Sequence, residues 1–143
     1  CHQQDQLLQR FDRLVFYLHA FLTPHYKEQV HTYEVEQVDG TLIFAIDHLM
    51  AGFTGKGKYY HTGLHVMAEV FQSKYDHDYP GPEVWKDLER VGGYSRTQLE
   101  EYTGLNQYNT WPIALHHAFT FPERFEAEAA ELRDIVLGIW QSG

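Results

Sequence analysis

The chain has 143 residues, 43 % apolar and 15 % aromatic, enough for a single domain over residues 1–143 built around one core. Its formal net charge of −9 would repel phosphate backbones, and no run approaches the roughly 18 apolar residues that a bilayer span needs. The single cysteine, Cys1, excludes an intrachain disulfide and favours a cytoplasmic setting, with lipid attachment to Cys1 of a processed lipoprotein as the alternative.

In chain order, residues 5–22 place Leu7, Phe11, Leu14, Leu18 and Phe21 at three- and four-residue steps. That spacing predicts an amphipathic helix that Pro24 ends. Residues 32–38 and 41–48 are rich in β-formers and flank Asp39-Gly40, the strongest short-range hairpin signal, because a type I′ turn needs positive φ at both central positions. Gly52 to Lys58 reads as a turn. Residues 59–71 divide: as a strand they alternate Tyr60, Thr62, Leu64 and Val66 against His61, Gly63 and His65, while as a helix they put His61, His65 and Glu69 on one face. Gly63 and the β-branched Val66 and Val70 favour the strand.

Helix punctuation dominates from residue 80. Pro80-Gly81-Pro82 opens a helix that Gly92-Gly93 closes, and Ser95-x-x-Gln98 is a capping box for a short helix ending near Gly104. Asn109 or Thr110 with Pro112 starts another helix through Phe119. Thr120-x-x-Glu123 is a second capping box, opening a last helix with the stripe Phe125, Ala129, Leu132, Val136 and Ile139. The expected fold is α+β: an N-terminal helix, an antiparallel β-meander of two or three strands, then about four C-terminal helices.

Ten histidines are the chemical signal, since imidazole titrates near neutrality and is the commonest metal ligand. A two-residue loop at Asp39-Gly40 pairs Val35 with Phe44, Tyr33 with Ile46 and His31 with His48. Opposed Cβ atoms lie about 4.5–5.5 Å apart, close enough for two imidazoles to share a metal, a water or a proton. A third strand carrying His61, His65 and Glu69 would complete a set able to hold a divalent transition metal, Zn or Fe. Without metal, His31 and His48 would act as acid and base with Asp47, Glu69 or Tyr60 orienting a tautomer. The plainer reading of such a pair is a hydrogen-bonded structural contact. His116 and His117 diverge by about 100° on a helix, which predicts one packed ring and one solvated ring.

Residues 95–115, with Leu99, Thr103, Gly104 and Leu105, resemble the helix-turn-helix of winged-helix regulators, although Glu100 stands where a small residue normally sits and Pro112 falls in the second helix. The first 75 residues are similar to the conical α+β fold of ketosteroid isomerases, scytalone dehydratase and polyketide cyclases, through an N-terminal helix, a meander and the loop Gly-Phe-Thr-Gly-Lys-Gly-Lys. That resemblance implies a pocket for an apolar ligand, and no residue role is carried across.

The leading expectation is a small-molecule pocket with histidine acid–base or metal-dependent chemistry of lyase, isomerase or hydrolase type, walled by Tyr33, Phe44, Tyr60 and Trp111. The alternative is a non-catalytic acidic interaction module of inhibitor, immunity or antitoxin type, using Glu34, Glu36, Glu100 and Glu101 against a basic partner protein.

Overall fold

A computed structural model describes residues 10–55 and 57–143. Among these, strands fill the N-terminal part and helices follow: β1 (Arg13–Tyr17), β2 (Phe21–Thr23), β3 (Tyr26–His31), β4 (Tyr33–Glu36) and β5 (Thr41–Ala45), then α1 (Ile46–Thr54), α2 (Thr62–Lys74), α3 (Trp85–Gly92), α4 (Arg96–Thr103), α5 (Trp111–Thr120) and α6 (Pro122–Ser142). A 3₁₀ turn at Pro82–Val84 precedes α3. The α+β class holds. No helix of the described residues is long and apolar enough to cross a membrane.

The N-terminal helix is corrected. Cys1 and Leu7 lie outside the described residues, but 13–17 and 21–23 are strands. Of the supposed stripe, Phe11 and Phe21 are buried while Leu14 and Leu18 are exposed, so no helical face meets the core. The run Leu14-Val15-Phe16-Tyr17 instead pairs parallel with β5, which lies between β1 and β4. Strands β2 and β3 form a separate antiparallel pair.

The β4–β5 hairpin exists, with another turn. Tyr33 faces Phe44, Val35 faces Leu42 and Glu36 faces Thr41, so residues 37–40 form a four-residue connection. Of these four only Gly40 has positive φ, at +64°. The two-residue shift leaves side-chain parity intact, so Tyr33, Leu42 and Phe44 still turn to the core and are buried.

Residues 62–74 are helical, which corrects the preferred third strand. Thr62, His65, Val66, Ala68, Val70 and Phe71 are buried on this helix, and packing against α5 outweighs the weak β-propensity of two valines. Residues 52–54, expected in a turn, end α1, so the connection between the two helices starts at Gly55, and the conical-fold resemblance fails with the missing helix and meander.

The C-terminal part follows its punctuation. Ser95 and Gln98 form both capping-box bonds, and Gly93 and Gly104 end their helices in the left-handed region at φ +75° and +79°. Pro112 starts α5 rather than interrupting it. The Thr120–Glu123 box does not form; Phe121 precedes α6 without a side-chain cap. Trp111 to Ala118 are all buried, so the second helix of the helix-turn-helix resemblance has no face free for a groove.

Gly104 also sets the site. A Cβ there would run into the Val30 carbonyl oxygen, so only glycine lets the α4–α5 loop dock on the β3–β4 bend. The docked loop accepts a 2.9 Å bond from the Thr32 amide at the Thr103 carbonyl.

Candidate functional site

Helix α2 positions the central ring. His65 and Glu69, one turn apart, face β4 and the loop after α4, with His65 Nε2 3.1 Å from Glu69 Oε1. Tyr33 on β4 brings its hydroxyl to 2.9 Å from the same nitrogen, and Tyr60, just before α2, sits 2.6 Å from Nδ1. Gln107, held by Thr103 Oγ1 at 3.0 Å, donates to the Tyr33 oxygen at 3.0 Å. His65 is 0 % exposed and Gln107 3 %, so these bonds lie in a low-dielectric interior.

With Glu69 as a carboxylate, one proton arrangement satisfies every group. Gln107 donates to Tyr33, Tyr33 donates to Glu69 at 3.4 Å, His65 Nε2–H donates to Glu69, and Tyr60 donates to Nδ1. Burial, reinforced by the Glu69 charge, raises the pKa of the Tyr33 hydroxyl well above the usual 10, and burial above all does the same for Tyr60. Both phenols stay protonated at neutral pH and act as donors.

This cluster opens on a cleft of about 260 Å³ lined by Tyr26, Gln29, Tyr33, Glu34, Val35, Glu69, Leu105, Asn106 and Tyr108. Glu34 on its wall accepts from Thr23 Oγ1 at 2.5 Å and meets His31 Nε2 at 3.1 Å. The other His31 nitrogen lies 2.7 Å from the Gln29 carbonyl. The Gln29 carbonyl can only accept, so His31 carries a proton on Nδ1, and its fully buried ring ties Glu34 to the β3 backbone. Tyr26 feels both carboxylates: burial, then Glu34, then Glu69, raise its pKa.

A second histidine cluster lies between α2 and α5. The His61 backbone N–H donates to His116 Nε2 at 3.0 Å, which places the His116 proton on Nδ1, 2.9 Å from His117 Nδ1. His117 then carries its proton on Nε2, which has no partner among the described residues and points at Gly92. Burial and the adjacent His117 lower the His116 pKa well below 6.5, and burial with Arg124 lowers that of His117 to about 3. Both rings are buried, which corrects the expectation of one packed and one solvated ring.

The remaining predicted residues disperse. His48 lies on α1 rather than opposite His31 on β3, because neither the register nor the strand assumed for it forms. It meets Asp47 at 2.8 Å in an open cleft of about 280 Å³. Burial raises the Asp47 pKa, but hydrogen bonds from His19 and His48 outweigh it and hold the value at about 2. His61 caps α2, its Nδ1 accepting from the Leu64 amide, so it does not join His65. Phe44, Tyr60 and Trp111 belong to the core rather than to a pocket wall; the Trp111 indole donates to the Ala68 carbonyl at 2.9 Å. No three His, Cys, Asp or Glu side chains among the described residues are grouped to hold a metal ion; His65 with Glu69 is a pair. Gln107 was not foreseen, since a loop glutamine carries no spacing signal.

No protein-family model, curated protein or solved structure matches this chain.

Proposed function

We propose that this chain binds a small molecule in the cleft between β3, β4 and the loop after α4, and acts on it by acid–base chemistry. Glu69 is the proton acceptor, oriented by His65 and by the Tyr33 hydroxyl, both of which donate to it. The observation that carries this reading is the Glu69 carboxylate, 28 % exposed at the cleft wall and bonded at 3.1 Å to a buried imidazole whose other nitrogen is fixed by Tyr60. A carboxylate that reaches solvent but is held from behind can exchange protons with a ligand without losing its geometry. The chemistry belongs to the lyase, isomerase or hydrolase types.

The interaction-module reading is less well supported. Glu34 is 6 % exposed and committed to His31 and Thr23, so it is not available to an outside partner.

A fragment screen followed by amide chemical-shift mapping tests the proposal. Hits should perturb Gln29, Val35, Leu105 and Asn106 and weaken in Glu69→Gln. Hits gathering instead at the Asp47–His48 cleft would contradict it.

A further inference from the structure

Resting on the reading of the Glu69 cleft as a binding site, we infer that its ligand class is a small organic ammonium ion. Three of the nine lining residues are tyrosines, two are glutamates, and none is lysine, arginine or histidine. Aromatic faces carry negative quadrupole potential, and together with carboxylates they attract an ammonium group while opposing an anion. His31 lies behind Glu34 and hydrogen-bonds it, and Glu69 is bonded to Gln107-supported Tyr33 and to His65 without a lysine or arginine partner in the cleft wall. The site therefore keeps a net negative charge on its floor.

The protein already uses one of these rings in the same manner. The Arg96 guanidinium lies 5.2 Å from the centroid of Tyr108, held there by Glu100 at 3.0 Å. Tyr108 is 66 % exposed, so its ring is presented to the cleft mouth without being part of the core. Gln29 and Asn106 supply neutral polar groups at the wall, suited to a second, uncharged polar end of the ligand. A volume of about 260 Å³ admits a ligand the size of a substituted benzylamine rather than a peptide.

The test uses the full chain and three probes of one shape and different charge: benzylamine, benzyl alcohol and benzoate, each titrated while amide shifts are followed. Benzylamine should give saturable shifts at Gln29, Val35 and Asn106, with an affinity about tenfold or more above either other probe, and that affinity should fall as salt rises. Glu69→Gln should weaken benzylamine about tenfold, and Tyr108→Leu, which removes an exposed ring and leaves the core untouched, about threefold. Equal binding of benzyl alcohol or benzoate at the same residues overturns the ammonium assignment and leaves the cleft as a binding site. Shifts confined to other surfaces, or absent with all three probes, overturn both.

Discussion

His65 and the His116–His117 pair lie in the same α2–α5 layer, and all three side chains are fully buried, yet their partners give them opposite capacities. His65 has a phenol on one nitrogen and a carboxylate and a phenol on the other, so its bonds fix the ring behind Glu69 and lead out to the cleft. Among the described residues His116 and His117 hydrogen-bond only each other and one backbone amide, and a second proton on either ring would set donor against donor. His31, between a carboxylate and a carbonyl, is the third case. Burial alone does not say what a histidine does; the identity of the groups at its two nitrogens does.

Acid should separate these sites most strongly. The folded pKa of His116 and His117 lies below the ordinary 6.5, so beneath about pH 6.5 the unfolded chain binds more protons and stability falls with falling pH, down to about pH 3, where His117 itself takes a proton. Each ring contributes a slope of up to about 1.4 kcal/mol per pH unit, or about 4 kcal/mol for both between pH 7 and 5. Urea unfolding at the two pH values measures this, and His117→Gln should remove about half of it. An unfolding free energy that does not change over that range would break the comparison.

His65→Leu should cost about 3 kcal/mol, because it leaves the buried Tyr60 hydroxyl without its partner and removes one from Tyr33. In the same urea assay, Tyr60→Phe placed on top of His65→Leu should recover part of the loss, since the orphaned hydroxyl is gone. A further loss would show that packing rather than hydrogen bonding holds the site.

Gly104→Ala should cost about 2 kcal/mol or more, from its positive φ and the Val30 carbonyl. It should also separate Gln107 from Tyr33, visible as faster exchange of the Thr32 amide proton, which now bonds to Thr103. Unchanged exchange would mean that the loop is held by contacts other than this approach.

The smallest stability effect is expected at the residue that matters most for function. Glu69→Gln keeps an acceptor oxygen for His65 and is partly solvated, so thermal unfolding should move by less than about 1 kcal/mol in equivalent free energy while ligand binding at the cleft weakens. A large destabilisation would recast Glu69 as a structural group.

Much of the helical half was legible because its signals are local. Ser95 and Gln98 meet within one turn, and Gly93 and Gly104 need no distant partner to adopt positive φ. The N-terminal half was not, because its arrangement is set by a parallel pairing between residues 13–17 and 41–45, and nothing within Arg13–Tyr17 names that partner. The four apolar residues Leu14 to Tyr17 satisfy a helix stripe and a strand equally, and length alone did not separate them. For the hairpin, alternation fixed the faces but not the register, so Tyr33 was placed correctly toward the core while the His31–His48 pairing was lost with a two-residue shift. At the site, the four-residue spacing of His65 and Glu69 was visible as the helical alternative, whereas Gln107 reaches Tyr33 across 74 positions and only the Gly104 turn brings it there.

The proton positions test this account most directly. Long-range ¹H–¹⁵N correlation of the imidazole rings near pH 7 should show His65 and His117 as Nε2–H tautomers, His116 as Nδ1–H, and a proton on Nδ1 of His31. On acidification to pH 6, His116 and His117 should remain neutral. An Nδ1–H tautomer at His65, or protonation of the His116–His117 pair already at pH 6, would contradict this account of the three rings.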